Sequence, residues 1–225
     1  MWQIKIKTIS AQLMLKLGLS LAIDVISFMT IFLQFVFAAT GATIVSGAIA
    51  ERCQLIAYFI YSFVITGIIY PPVSHWAWDE TGWLSVSGYY KDFAGSGVVH
   101  LMGACCALVG CVLIGARNGR FDENGKPIPM PGHSVPLAGL GGFILIFGFL
   151  AFNGGSQAQI SQSGDGDLIA LAIVNTILGG STGGLVVLLI NKLPFFSKHW
   201  SFLMSLNGAL TGSHFQCKYL MMYLL

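Results

Sequence analysis

The chain has 225 residues, of which 55% are hydrophobic and 9% charged, with a formal net charge of +2. An ordinary soluble domain carries roughly a quarter charged residues, so a water-soluble globule is excluded and lipid is the solvent to reason with. The charge is too small to indicate nucleic acid or an acidic substrate, and the 28 glycines suit helices that approach one another closely through small residues.

Residues 1–26 stay unassigned. Lys5 and Lys7 precede an apolar stretch, but Lys16 and Asp24 interrupt it early and no small-residue cleavage site follows. From there, uncharged stretches run over 25–50, 53–78, 93–116, 127–164, 168–191 and 199–217. The second ends in "YPP", so its helix is expected to stop near Tyr70. The fourth opens with the proline-rich "KPIPMPGHSVP" and closes with the polar "NGGSQAQISQSGDGD", which places its membrane part near 136–152. Backbone in hydrocarbon must satisfy its own polar groups, and nothing alternates with a period of two. The fold class is therefore an all-α polytopic membrane protein with about six transmembrane helices.

Lys and Arg divide unevenly between alternate loops. Arg52, then Arg117, Arg120 and Lys126, then Lys192 and Lys198 fall on one side, against Lys91 on the other. The positive-inside rule puts 51–54, 117–134 and 192–200 in the cytoplasm, and 71–91 and 153–167 outside. The outer loops carry Asp79, Glu80, Asp92, Asp165 and Asp167 among aromatic residues. An acidic, aromatic mouth gathers cations, although Trp and Tyr also form plain interfacial belts.

The third stretch, "KDFAGSGVVHLMGACCALVGCVLIGAR", is the most informative. Its 24 uncharged residues would make a helix of roughly 36 Å, enough to cross a bilayer. It begins on Asp92, placed to cap the free amides of the first turn or to sit at a pore mouth. His100 follows about two turns in, either as a satisfied neutral imidazole or as a functional group. Cys105 and Cys106 stand five and six residues beyond His100 and spread around the helix, so no metal site is expected. The five cysteines read as buried small hydrophobes, and no nucleophile–base pair at workable spacing points to an enzyme.

"DFAGSGVVHLMGACCALVGCVLIGAR" resembles the signature of the ammonium transporter family, the Amt branch of the Amt/Rh superfamily. "LQFVFAATGATIVSGAIAER" (33–52), "YPPVSHWAWDETGWL" (70–84) and "FGFLAFNGGS" (147–156) are similar to that family's corresponding helices and vestibule. The resemblance spans 27–212, leaving 213–225 as a divergent tail. It implies a part of an eleven-helix inverted-repeat fold, assembled as homotrimers in the plasma membrane. Its implied partners are ammonium or ammonia and the bilayer, with no cofactor.

By the same resemblance, Phe37 and Phe152 match the stacked phenylalanine gate of the outer pore. Trp78 matches the tryptophan of the outer recruitment site, with Ser156 its hydroxyl and Asp92 the aspartate beneath it. His100 matches the first of two pore histidines and would relay protons. Leu33 stands where the family usually has an aromatic residue. The second pore histidine has no counterpart by motif, since His75 and His133 fall in loops, His199 at a span edge and His214 in the tail. The implied function is ammonium transport. The alternative is a truncated, non-conducting subunit that binds full-length partners.

Overall fold

The computed structural model describes the backbone of residues 25–193, 195 and 199–223, and the side chains among them from 30 to 214. The unassigned segment 1–26 lies almost wholly outside these residues, as do the side chains of the tail beyond His214. Helix α1 covers Val25–Ile49 and α2 covers Leu55–Val64. A π-helical turn, Ile65–Ile69, leads into α3, Tyr70–Trp78, and a single turn, α4, covers Trp83–Val86. A second π turn, Ser96–Leu101, opens α5, Met102–Ile114. Then follow α6, Val135–Gly155, α7, Asp165–Lys192, and α8, Phe202–Tyr223. Among the described residues there is no strand, only an isolated bridge between Phe121 and Pro127.

Five helical runs are long and apolar enough to cross a membrane: Thr30–Ile49, Leu55–Val86, Ser96–Ile114, Val135–Gly155 and Asp165–Lys192. The sixth uncharged stretch is the helix α8, which is not among these five. Leu113, Val112 and Leu108 are exposed, as are Phe143, Ile144 and Phe147. Side chains of this kind facing outward all along the helices belong against lipid.

One expectation is corrected: the second helix does not stop at Tyr70 but runs helically through "YPP" to Trp78. Pro71 and Pro72 cannot donate to carbonyls four residues back, and a regular helix would clash there. The π turn immediately before them absorbs the defect, with the Tyr70 amide reaching back five residues to the Ile65 carbonyl. The prolines then occupy the first turn of a new segment, where a missing N–H costs little.

The chain divides into two compact units, Met1–Met130 and Pro131–Leu225, and each is described by itself. In the first, α1 packs on α5 and on both π turns. Its core holds Ala38, Ala42, Val45 and Ile49 from α1 with Ile65, Tyr70, Ala77, Val98, Val99 and Met102. Just past the C-terminal ends of α1 and α5, Arg117 pairs with Glu51 and Arg52 Nη1 donates to the Gly115 carbonyl at 2.6 Å.

In the second unit α7 and α8 meet backbone to backbone. A Cβ on Gly183 would lie 2.3 Å from the Gly208 carbonyl oxygen, and one on Gly212 would lie 2.1 Å from that of Gly179. Only glycine permits this approach. Next to it, Asn153 Nδ2 donates to Thr176 Oγ1 at 2.8 Å and to the Ser213 carbonyl at 3.1 Å. All three residues are almost fully buried, so the network offsets the cost of polar groups in hydrocarbon.

Candidate functional site

The site of the first unit is organised by Asp92. Its Oδ1 accepts the amides of Gly95 and Ser96 at 2.8 and 2.9 Å, and its Oδ2 those of Gly97 and Val98, both at 2.8 Å. These are amides that a helix start leaves without intrahelical partners, here gathered on one nearly buried carboxylate. The Tyr90 hydroxyl adds a longer bond to Oδ2 at 3.4 Å. Both oxygens are thus occupied by backbone donors, and the carboxylate holds the turn that follows it.

Two glycines make this knot possible. Gly95 has φ +86, a conformation that side chains disfavour. Gly97 leaves space for Tyr90, whose hydroxyl oxygen would sit 1.7 Å from any Cβ there. Burial, reinforced by the neighbouring Asp92 charge, pushes the Tyr90 phenol up to about 12, so it remains a donor across the physiological range.

His100 lies in the π turn that Asp92 caps. The Gly95 carbonyl accepts the amides of both Val99 and His100, at 2.9 and 3.0 Å, which is the local widening that directs this part of the chain. Trp78 closes the arrangement from the end of α3. Its indole Nε1 donates to the Asp92 carbonyl at 2.7 Å, and its ring meets Phe37 with centroids 5.3 Å apart at 51°. Phe37, Trp78, Asp92 and the turn bearing His100 therefore form one connected assembly.

In the second unit, Ser156 lies just past α6 with its hydroxyl donating to the Phe152 carbonyl at 2.8 Å. Its oxygen keeps lone pairs for an incoming donor. Phe152 has Phe149 beside it at 6.5 Å, and Phe149 in turn stacks on His214 at 6.1 Å and 23°. Among the described residues no group of three or more His, Cys, Asp or Glu side chains is placed to hold a metal ion.

The five acidic residues expected outside differ in what they are free to do. Asp79 accepts from the Thr81 amide and hydroxyl, and Asp165 accepts from Gln157 Nε2 and the Gln162 amide, both at 2.9 Å. With Asp92 also committed, three of the five acids shape their own loops. Two participants escaped the sequence reading: Tyr90, and the Gln34–Tyr70 pair, whose hydroxyl donates to Oε1 at 2.6 Å. Gln34, a lone amide in the long apolar stretch 25–50, was the available signal.

Comparison with known proteins gives one consistent result. The sequence model of the Ammonium Transporter Family matches residues 5–213. A Caenorhabditis elegans protein named "Putative ammonium transporter 1" is 47% identical over 197 residues, covering 83% of this chain and 36% of that protein. "Ammonium transporter 1 member 3" of Solanum lycopersicum is 42% identical over 193 residues, covering 80% of this chain and 42% of that protein. "Ammonium transporter 1 member 1" of Arabidopsis thaliana is 42% identical over 195 residues, covering 80% and 38%. The chain thus spans about two fifths of the length of the relatives it matches.

Proposed function

The chain belongs to the ammonium transporter family, and on that premise we propose that its first unit recruits ammonium from outside the membrane and passes it toward His100. The observation that carries this reading is the Phe37–Trp78 ring pair, fastened to the Asp92 carbonyl at the head of the turn that bears His100. Aromatic faces attract a desolvated cation, and the nearby carboxylate field adds to that attraction. Ammonium has four N–H donors and potassium has none, so acceptors such as the Ser156 hydroxyl oxygen separate two ions of equal charge.

A bare ion in a narrow apolar pore is penalised by several kcal/mol. Loss of one proton removes most of that penalty. One N–H bond breaks, its electron pair stays on nitrogen, and neutral ammonia moves on. An imidazole such as His100 accepts the proton and returns it along the path. The family resemblance assigns Phe37 and Phe152 to the gate, homotrimers as the assembly and the plasma membrane as the location, and these belong to the same proposal.

The test is uptake kinetics of the longest reading frame that carries this sequence, in yeast lacking its own ammonium transporters. Trp78→Ala should raise the ammonium concentration for half-maximal uptake about 2- to 30-fold, corresponding to ~0.5–2 kcal/mol for an aromatic face against a cation. Unchanged affinity and unchanged selectivity over potassium would remove Trp78 from the recruitment site.

A further inference from the structure

We propose that the hydrogen bond between Tyr70 and Gln34 is a positioning device for the Phe37–Trp78 ring pair. Its functional consequence rests on the recruitment reading above, whereas its geometric content does not.

Tyr70 is 4% exposed, and its hydroxyl donates to Gln34 Oε1 at 2.6 Å. A phenol and an amide are costly in hydrocarbon unless they satisfy one another, so this bond is held wherever the helices pack. Its location is what matters. Gln34 and Phe37 lie one turn apart on one face of α1. Tyr70 and Trp78 are the first and last residues of α3. Both ends of a nine-residue helix therefore reach α1 within one turn of each other, one through a hydrogen bond and the other through aromatic rings.

A helix this short moves as one body, so the setting of its first residue fixes where its last residue points. The bond is needed because both neighbours of α3 are irregular. The π turn Ile65–Ile69 and the prolines Pro71 and Pro72 replace the regular ladder before it, and α3 ends at Asp79 with extended backbone. Without the bond, α3 would keep its helical content and its place beside α1. Its rotation would be set at one end only, by the Trp78–Asp92 bond, and the tilt of the indole against Phe37 would vary about that bond.

The experiment is ¹⁹F NMR of the 225-residue chain carrying 5-fluorotryptophan at its five tryptophans in lipid nanodiscs. Trp78→Phe assigns the Trp78 resonance and Phe37→Leu gives the shift caused by losing the facing ring. Tyr70→Phe and Gln34→Leu are each expected to move or broaden the Trp78 resonance while leaving that of Trp200 in place. Adding Phe37→Leu to Tyr70→Phe should then change Trp78 by less than it does alone. A Trp78 resonance that ignores both variants but responds to Phe37→Leu overturns the proposal. So does a general collapse of the spectrum in both variants, which would make the bond a folding element only. In uptake assays of the longest reading frame, Tyr70→Phe should raise the half-saturating ammonium concentration more than it lowers the maximal rate. A displaced Trp78 resonance with unchanged affinity leaves the positioning role standing and removes the recruitment role of Trp78 instead.

Discussion

At the scale of single residues, Asp92 and Trp78 depend on one another through the Asp92 main chain. The carboxylate holds four amides and the carbonyl holds the indole, so one residue links the head of the helical run Ser96–Ile114 to the aromatic pair. At an ordinary helix start one side-chain oxygen accepts, and asparagine serves as well as aspartate. Here each oxygen takes two amides. Asp92→Asn would turn an NH2 group toward one of those pairs, and Asp92→Ala would strand all four at ~1–3 kcal/mol for each amide that water cannot reach. Thermal stability in detergent should therefore fall in the order wild type, Asp92→Asn, Asp92→Ala. Equal stability of Asp92→Asn and wild type would show that one oxygen suffices. The capping capacity of Asp92 was readable because a carboxylate before "FAGSG" has a helix start to serve. The contribution of Tyr90 was not, since only the folded turn brings a phenol over Gly97.

At the scale of elements, two local rules met competing terms. A double proline ordinarily ends a helix, yet the chain continues to Trp78 because a π turn absorbs the lost bonds. Sequence shows the prolines but not the widened turn upstream, which is a solution found by packing. Glycine content, by contrast, was informative as a number and silent about location. Gly183 and Gly47 look alike in sequence, but a Cβ on Gly183 meets the Gly208 backbone whereas one on Gly47 meets nothing within 4 Å. Gly183→Ala should destabilise the chain by about 1–3 kcal/mol, because two backbones must separate. Gly47→Ala should be neutral or slightly stabilising, as expected of alanine within a helix. Unfolding followed by thermal shift in detergent decides the pair. Similar values for both would place the α7–α8 contact elsewhere.

At the scale of the whole molecule, length and hydropathy were enough to locate the five runs long and apolar enough to cross a membrane, and the helix α8, because lipid leaves a backbone few alternatives. The family followed from one long motif with its flanks, and the match over 5–213 agrees with it. Orientation rests on charge alone. In a variant otherwise free of cysteine, Lys91→Cys should react with an impermeant maleimide from outside intact cells, and Lys192→Cys only after permeabilisation. The reverse pattern would invert the topology.

The aromatic recruitment of ammonium toward His100 is the central claim, and substrate-induced current is its most direct measurement. Proteoliposomes containing the longest reading frame with this sequence, adsorbed on a solid-supported membrane, should give a current on ammonium addition and none on an equal step of potassium. Trp78→Ala should shift the ammonium dependence to higher concentration, and His100→Ala should abolish or reduce the current at saturation. Currents of equal size for both ions, or an ammonium response that survives unchanged in both variants, would contradict the account.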